Sequence, residues 1–234
     1  MEITSINNRL IKDTAKLHKK KNRDETGLFL VEGYHLYEEA YKTNSIKTIF
    51  TIDGGIMGDN VIYVNEMVLE KLAQTKNPQG VLCVCEKVKS KELTDKVLIL
   101  EKLQDPGNLG TLMRSALAFG FNTIVLDNTV DIYNDKVLRS TQGAIFKLNI
   151  VLSNTLDFIN SHHEYTYYGT AMNGEDLTVI NKSEKLALIL GNEGAGVSEE
   201  VKNATYKNIT IKTDNVESLN VGVAGSIIMY STVA

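Results

Sequence analysis

Two uninterrupted aliphatic runs, Val97-Leu98-Ile99-Leu100 and Leu186-Ala187-Leu188-Ile189-Leu190, stand out from a chain that otherwise changes polarity every few residues. Runs of this length bounded by polar turns predict strands buried on both faces of a parallel sheet. After the first run, Asp105-Pro106-Gly107-Asn108 turns the chain, with Asn108 in position to cap a helix. Leu109, Leu112, Met113, Ala116 and Leu117 then recur at helical spacing as far as Phe119, with Gly120 as the stop. Thr123 to Leu126 reads as the next strand, which makes a βαβ unit. Val137–Thr141, Leu148–Leu152 and Tyr165–Ala171 continue the alternation. Asn208 to Ile211 alternates polar and β-branched residues like a short strand, and Val221 to Val233 is an almost wholly apolar, small-residue helix.

The first ninety residues follow a different rhythm. A basic helix leads into a strand at Phe29–Val31, a helix at Tyr34–Tyr41 and strands at Ile46–Ile52 and Val61–Val64. A helix at Met67–Ala73 and a strand at Val81–Val84 close a small mixed α/β unit. The polar stretch from Glu86 to Lys96 predicts a linker. The expected organisation is a small domain over 1–90 and an open α/β domain over 97–234, whose ligands bind beyond the carboxyl ends of its strands.

With 234 residues the chain has ample length for a core, and 43% hydrophobic against 23% charged residues is ordinary globular composition. Charges interrupt every apolar stretch before the roughly 18 residues of a membrane span. Met1-Glu2-Ile3-Thr4-Ser5 lacks the basic and apolar regions of a secretory signal, so a cytoplasmic location is expected. Cys83 and Cys85, two apart in a predicted strand, read as structural thiols. His18, His35, His162 and His163 show no matching ligand spacing, and no metal site is expected.

A net charge of −4 argues against a chain that binds polyanions over its whole surface. One segment departs from that average. Arg9, Lys12, Lys16, Lys19, Lys20, Lys21 and Arg23 crowd together against Asp13 alone, and Lys12, Lys16 and Lys19 or Lys20 would form a cationic stripe on a helix. Such a stripe is either a solvated face or a phosphate contact.

Three polar segments carry candidate chemistry. Asn108 through Arg114 opens the first helix of the βαβ unit, and Arg114 lies off its apolar face. Gly191-Asn192-Glu193-Gly194-Ala195-Gly196 follows the second aliphatic run. It lacks the Lys-Ser/Thr ending of a phosphate-binding loop and the Gly-x-Gly-x-x-Gly spacing a nucleotide-dependent oxidoreductase would show. Glu193 would repel a bare phosphate, which favours a ligand bearing a cation or hydroxyl groups. Finally, Val216-Glu217-Ser218-Leu219-Asn220-Val221 places a carboxylate, a hydroxyl and an amide between two apolar runs. It is either a helix start capped by Ser218 or Asn220, or part of a site.

In this order and at these intervals, the three segments resemble the motifs of the SpoU (TrmH-type) RNA ribose 2′-O-methyltransferases, over about Val97 to the C-terminus. That resemblance implies a deep trefoil knot in the parallel-sheet domain and S-adenosylmethionine as methyl donor. It implies catalytic roles for Asn108, Arg114, Glu193, Ser218 and Asn220, and cofactor contacts at Leu190, Gly191, Gly194, Ile211, Leu219 and Asn220. Asn8 through Lys12 and Phe29 through Gly33 resemble the family's RNA-binding extension, related to RNA-binding ribosomal proteins. This implies RNA contacts for Arg9, Lys12, Lys16, Lys19, Lys20 and Arg23. A homodimer is implied too, with Ile227 to Tyr230 either at its interface or in the subunit's own core. The family's third motif usually begins Ile-Pro-Met, whereas Lys212-Thr213 follows Ile211 here and the loop to Glu217 is one residue shorter. Family habit favours ribosomal RNA as substrate, with transfer RNA, or a silent RNA-binding relative, as alternatives.

Overall fold

The computed structural model describes residues 2–182 and 185–233. Contacts divide the chain into two compact units, Met1–Val88 with Tyr133–Phe146, and Lys89–Ile132 with Lys147–Ala234. The second segment of the first unit falls inside the stretch that the sequence pattern assigns to the C-terminal domain.

In the first unit, β1 (Glu2–Ile3), α1 (Arg9–Ala15), α2 (Lys20–Thr26), β2 (Leu28–Glu32), α3 (Tyr34–Lys42), β3 (Ile46–Thr51), β4 (Val61–Val64), α4 (Glu66–Leu72) and β5 (Val81–Glu86) follow in order. The sheet order is β1-β4-β3-β5-β2. Its first two pairings are parallel and the other two antiparallel. Ile11, Leu17, Phe50, Val68, Leu72 and Leu82 fill a core on one side. Tyr133, from the later segment, brings its ring to 4.6 Å from that of Phe29. Cys83 and Cys85 are buried free thiols in β5, and burial pushes Cys83 up to about 12 and Cys85 well above the usual thiol range.

The basic stretch is not one continuous helix. A 3-10 turn at Lys16–His18 and an extended Lys19 (φ −93°, ψ 130°) separate α1 from α2. The cationic stripe therefore loses its helical register beyond Lys16. Lys16 pairs with Asp13 at 2.7 Å and Lys20 with Asp24 at 3.0 Å, while Arg9 lies 3.8 Å from Asp13. Lys12 and Lys19 point into solvent. Arg23 is buried and donates to the carbonyls of Leu17 (2.7 Å) and His18 (2.8 Å). It closes the turn between the two helices, so the expected RNA contact at Arg23 is corrected to a structural one.

The second unit contains β6 (Lys96–Glu101), α5 (Pro106–Ala118), β7 (Thr123–Asp127), β8 (Asn149–Leu152), α7 (Thr155–Ser161), β9 (Thr166–Asp176), β10 (Leu186–Leu190), α8 (Glu199–Ala204), β11 (Lys207–Thr210) and α9 (Val221–Ser231), while α6 (Asp135–Thr141) belongs to the first unit. Its six strands are ordered β11-β9-β10-β6-β7-β8, and every pairing is parallel. The two aliphatic runs are the central strands. They pair from Leu186 with Lys96 to Leu190 with Leu100, and both are fully buried, as their lack of polar alternation predicts. From β6 the chain builds outward through β7 to β8, then crosses to the other side and returns β10 against β6. The sheet order reverses between β6 and β10, the place where open α/β sheets bind ligands.

Helix α9 lies against α5 and β10. A Cβ at Gly225 would overlap the side-chain ends of Leu112 and Leu190, so glycine lets the helices approach without moving either leucine. The Ser115 and Ser226 hydroxyls meet across the helix pair at 2.7 Å.

Candidate active site

The loops after β6 and β10 join at the reversal point, and the start of α9 closes on them. Glu193 is the hub. Its Oε1 accepts from the Asp105 amide (2.9 Å) and Asn108 Nδ2 (3.4 Å), and its Oε2 from the Gln104 amide (3.3 Å). Asn108 Oδ1 in turn accepts from Asn220 Nδ2 at 2.9 Å. Asn220 Oδ1 caps α9, accepting from the amides of Gly222 (2.9 Å) and Val223 (3.3 Å). Of the two residues the sequence offers as cap, Asn220 is the helix cap, and the same side chain ties α9 to Asn108.

Partial burial by itself raises the pKa of the Glu193 carboxyl. The donors from Asp105, Asn108 and Gln104 outweigh it and hold the group below the usual carboxylate range. A carboxylate stabilised in its charged form by several donors is a fastener, and a poor proton acceptor near neutral pH.

The glycine-rich loop is shaped by Asn192, which sequence reasoning passed over. Its Oδ1 accepts from the amides of Gly194 (2.9 Å) and Ala195 (3.1 Å), and its Nδ2 donates to the Lys102 carbonyl (3.0 Å). Its backbone exchanges hydrogen bonds with Gly196 at 3.1 and 2.9 Å. A Cβ on Gly191 would collide with the backbone of Gly196 and Val197. The glycine at 191 serves the loop's own crossing, whereas Gly194 is exposed. Asn two residues before Gly is the available signal for such an Asx turn.

Asp105, not Asn108, caps α5. Its Oδ1 accepts from the Asn108 amide at 2.7 Å, with Pro106 as the first helical residue. An acidic residue before proline was a legible cap signature. Released from capping, the half-buried Asn108 is free to bridge Glu193 and Asn220. Arg114, two turns further on, is exposed and makes no hydrogen bond or ion pair among the described residues. Ser218 is likewise exposed and unpaired among them. The structure thus links Asn108, Glu193 and Asn220 directly, and leaves Arg114 and Ser218 presented outward.

Leu190 ends β10 in the core, and Ile211 and Leu219, both half-buried, bound the segment between β11 and α9. At its entrance, Lys212 Nζ lies 3.5 Å from Asp176 Oδ2, and Thr213 Oγ1 donates to the Val216 carbonyl at 2.6 Å. A hydroxyl tether and an ion pair occupy the place where the family commonly has proline. Among the described residues, no group of three or more His, Cys, Asp or Glu is placed to hold a metal ion.

An all-parallel α/β sheet with three polar segments joined at its reversal point is the arrangement in which open α/β domains bind ligands. Residues 95–230 match the model of the SpoU rRNA methylase family, and residues 8–83 that of the MRM3-like substrate binding domain. The chain is 39% identical to the 23S rRNA (guanosine(2553)-2′-O)-methyltransferase RlmP of Bacillus subtilis, covering 98% of each chain. Its structure superposes on an rRNA methyltransferase from Sinorhizobium meliloti with a TM-score of 0.88 at 30% identity, covering 99% of this chain and 96% of the other. The AdoMet-bound form of the rRNA methyltransferase from Sinorhizobium meliloti gives 0.86, covering 99% and 97%. The chain belongs to the SpoU rRNA methylase family, with the trefoil-knotted fold of that family in its C-terminal unit, and is accordingly an S-adenosylmethionine-dependent RNA ribose 2′-O-methyltransferase.

The residues present fit that methyl donor. Among the described residues, the backbone amides of 211–219 donate to no other backbone group, and Val216 and Leu219 lie among them. Free backbone donors beside aliphatic side chains suit the edge and faces of a purine.

Proposed function

We propose that this enzyme methylates a ribose 2′-hydroxyl in large-subunit ribosomal RNA, acting as a cytoplasmic homodimer. The observation that carries the site is the Glu193–Asn108–Asn220 chain, which draws three sequence-distant segments to one point. The full-length similarity to a 23S ribosomal RNA enzyme favours ribosomal over transfer RNA. No helix among the described residues is long and apolar enough to cross a membrane.

Leu190, Gly191, Gly194, Ile211, Leu219 and Asn220 hold S-adenosylmethionine in this reading, which supplies an electrophilic methyl group when bound. Transfer at the 2′-oxygen then demands alignment and loss of one proton. Arg114 binds the phosphate next to the target ribose and stabilises the developing alkoxide. A guanidinium carries only donors, so it cannot take the proton, and Glu193 is held in its charged form by its donors. The proton therefore passes to water. Glu193 positions Asn108, while Ser218 and Asn220 orient the target nucleotide and the methionine end of the donor. Arg9, Lys12, Lys16, Lys19 and Lys20 supply phosphate contacts from the first unit.

The dimer reading rests on α9. Val223, Ile227 and Tyr230, at i, i+4 and i+7, expose 49%, 39% and 66% of their surface along one face. Ile228 and Met229 between them are buried in the subunit's own core.

Mapping 2′-O-methylation across ribosomal and transfer RNA in cells lacking the gene tests the assignment. One nucleotide of 23S ribosomal RNA should lose its methyl group and regain it with the wild-type gene but not with Arg114→Ala. A restored transfer RNA site instead would overturn the substrate.

A further inference from the structure

One buried carboxylate in the second unit is not used by the reading above. Glu101, the last residue of β6, is 3% exposed. Its Oε2 accepts from the Ser198 amide at 2.9 Å, and its Oε1 lies 3.5 Å from Lys102 Nζ. Burying a carboxylate is costly unless its partners compensate. The Ser198 hydroxyl makes no capping bond, and Glu101 accepts from the N-cap amide of α8 as the acid of a capping box does. What the Glu101 bond does is join the far end of the Gly191–Val197 loop to β6.

The near end and the middle of the same loop are fastened to the residues that follow. Asn192 Nδ2 donates to the carbonyl of Lys102, a non-glycine residue in left-handed conformation (φ 54°). Glu193 receives the amides of Gln104 and Asp105. Glu101, Lys102, Gln104 and Asp105 thus grip the loop in sequence, with Glu101 at the exit beside Val197, which is buried in the core.

We propose that Glu101 is a positioning residue for methyl transfer: its carboxylate, through the Ser198 amide, sets the loop that presents Glu193 to Asn108 and holds the methyl donor. The proposal rests on the assignment of this loop to the cofactor site. It requires a hydrogen-bond acceptor at 101 and a donor at 198.

Two substitutions break the bond from opposite ends. Glu101→Ala removes the acceptor. Ser198→Pro removes the donor at a residue whose φ of −64° already suits proline. In the full-length protein, each should weaken S-adenosylmethionine binding by about tenfold in calorimetry, leaving affinity for ribosomal RNA fragments unchanged. The double variant should be no worse than either single one, since both delete one interaction. Glu101→Gln, which keeps an acceptor, should stay within about threefold of wild type. Hydrogen exchange without cofactor should accelerate at the Gln104 and Asp105 amides in Glu101→Ala, Ser198→Pro and the double variant, and stay at the wild-type rate in Glu101→Gln. Normal donor binding and normal exchange in a folded Ser198→Pro protein would overturn the proposal, as would additive effects. A wild-type protein that binds no S-adenosylmethionine would sink the cofactor reading instead, while exchange at Gln104 and Asp105 would still decide the role of Glu101.

Discussion

Glu193 sits among donors that all favour its ionised form, and this fixes the sign of its pH response. A carboxyl whose folded pKa is depressed contributes its organising effect above its unfolded value, about 4.3 for glutamate. The contribution disappears as pH falls through the lower folded value. Donor binding should therefore be flat on Glu193's account from pH 6 to 9 and fail only on the acid side. Glu193→Gln should remove that acid dependence and lower affinity at all pH values, because its amide NH₂ would face the Gln104 or Asp105 amide. Calorimetric titration across pH checks both. A wild-type pH–rate profile for methyl transfer that rises through neutrality and flattens in Glu193→Gln would restore glutamate as the base. At this scale, residue types were legible and partnerships were not. The pattern showed that Asn108, Glu193 and Asn220 carry chemistry-bearing groups. That Asp105 caps α5 and frees Asn108 depends on one oxygen meeting one amide at 2.7 Å. Arg23 teaches the same lesson, since its position in a basic run conceals that its guanidinium closes a buried turn.

Helices and strands were readable in proportion to their length and burial. The strands at 97–100 and 186–190 and the helix from 106 to 118 have enough residues for periodicity to speak. The six- and seven-residue helices α8 and α7 have too few turns for that. The basic segment shows the limit of periodicity, because residues three and four apart line up only if the helix is continuous, and it breaks at Lys19. Where α9 meets α5, the small residues did announce close approach. Gly225→Ala should destabilise the protein by about 1–3 kcal/mol in urea unfolding through overlap with Leu112 and Leu190, and an unchanged midpoint would mean the helices separate freely. In β5, Cys83 and Cys85 should resist a thiol reagent at pH 8 and react together on denaturation, since burial keeps both protonated. Prompt modification of either in the native protein would contradict their burial.

For the whole molecule, the exposed row on α9 gives the most direct test. Ile227→Asp should shift the protein from dimer to monomer in light scattering and reduce methylation at least tenfold, because a buried carboxylate at such a face has no partner. A wild-type monomer with full activity would remove the dimer from the reading. Order along the chain was enough to place three motifs and predict their family. The strand order β11-β9-β10-β6-β7-β8 was beyond it. Aliphatic runs say that a strand is buried on both faces, but they carry no mark of which strand lies beside it. By itself, the sequence determined the elements with strong period or unbroken apolarity, the parallel α/β class and the residue types of the site. Tertiary structure alone decided that β10 returns against β6, that Asn192 and Glu101 bond the loop to β6 and the residues after it, and that Glu193 meets the donors that favour its ionised form. Hydrophobic pattern is a property of neighbours along the chain, whereas hydrogen-bond partnership and pKa belong to groups brought together across some ninety residues.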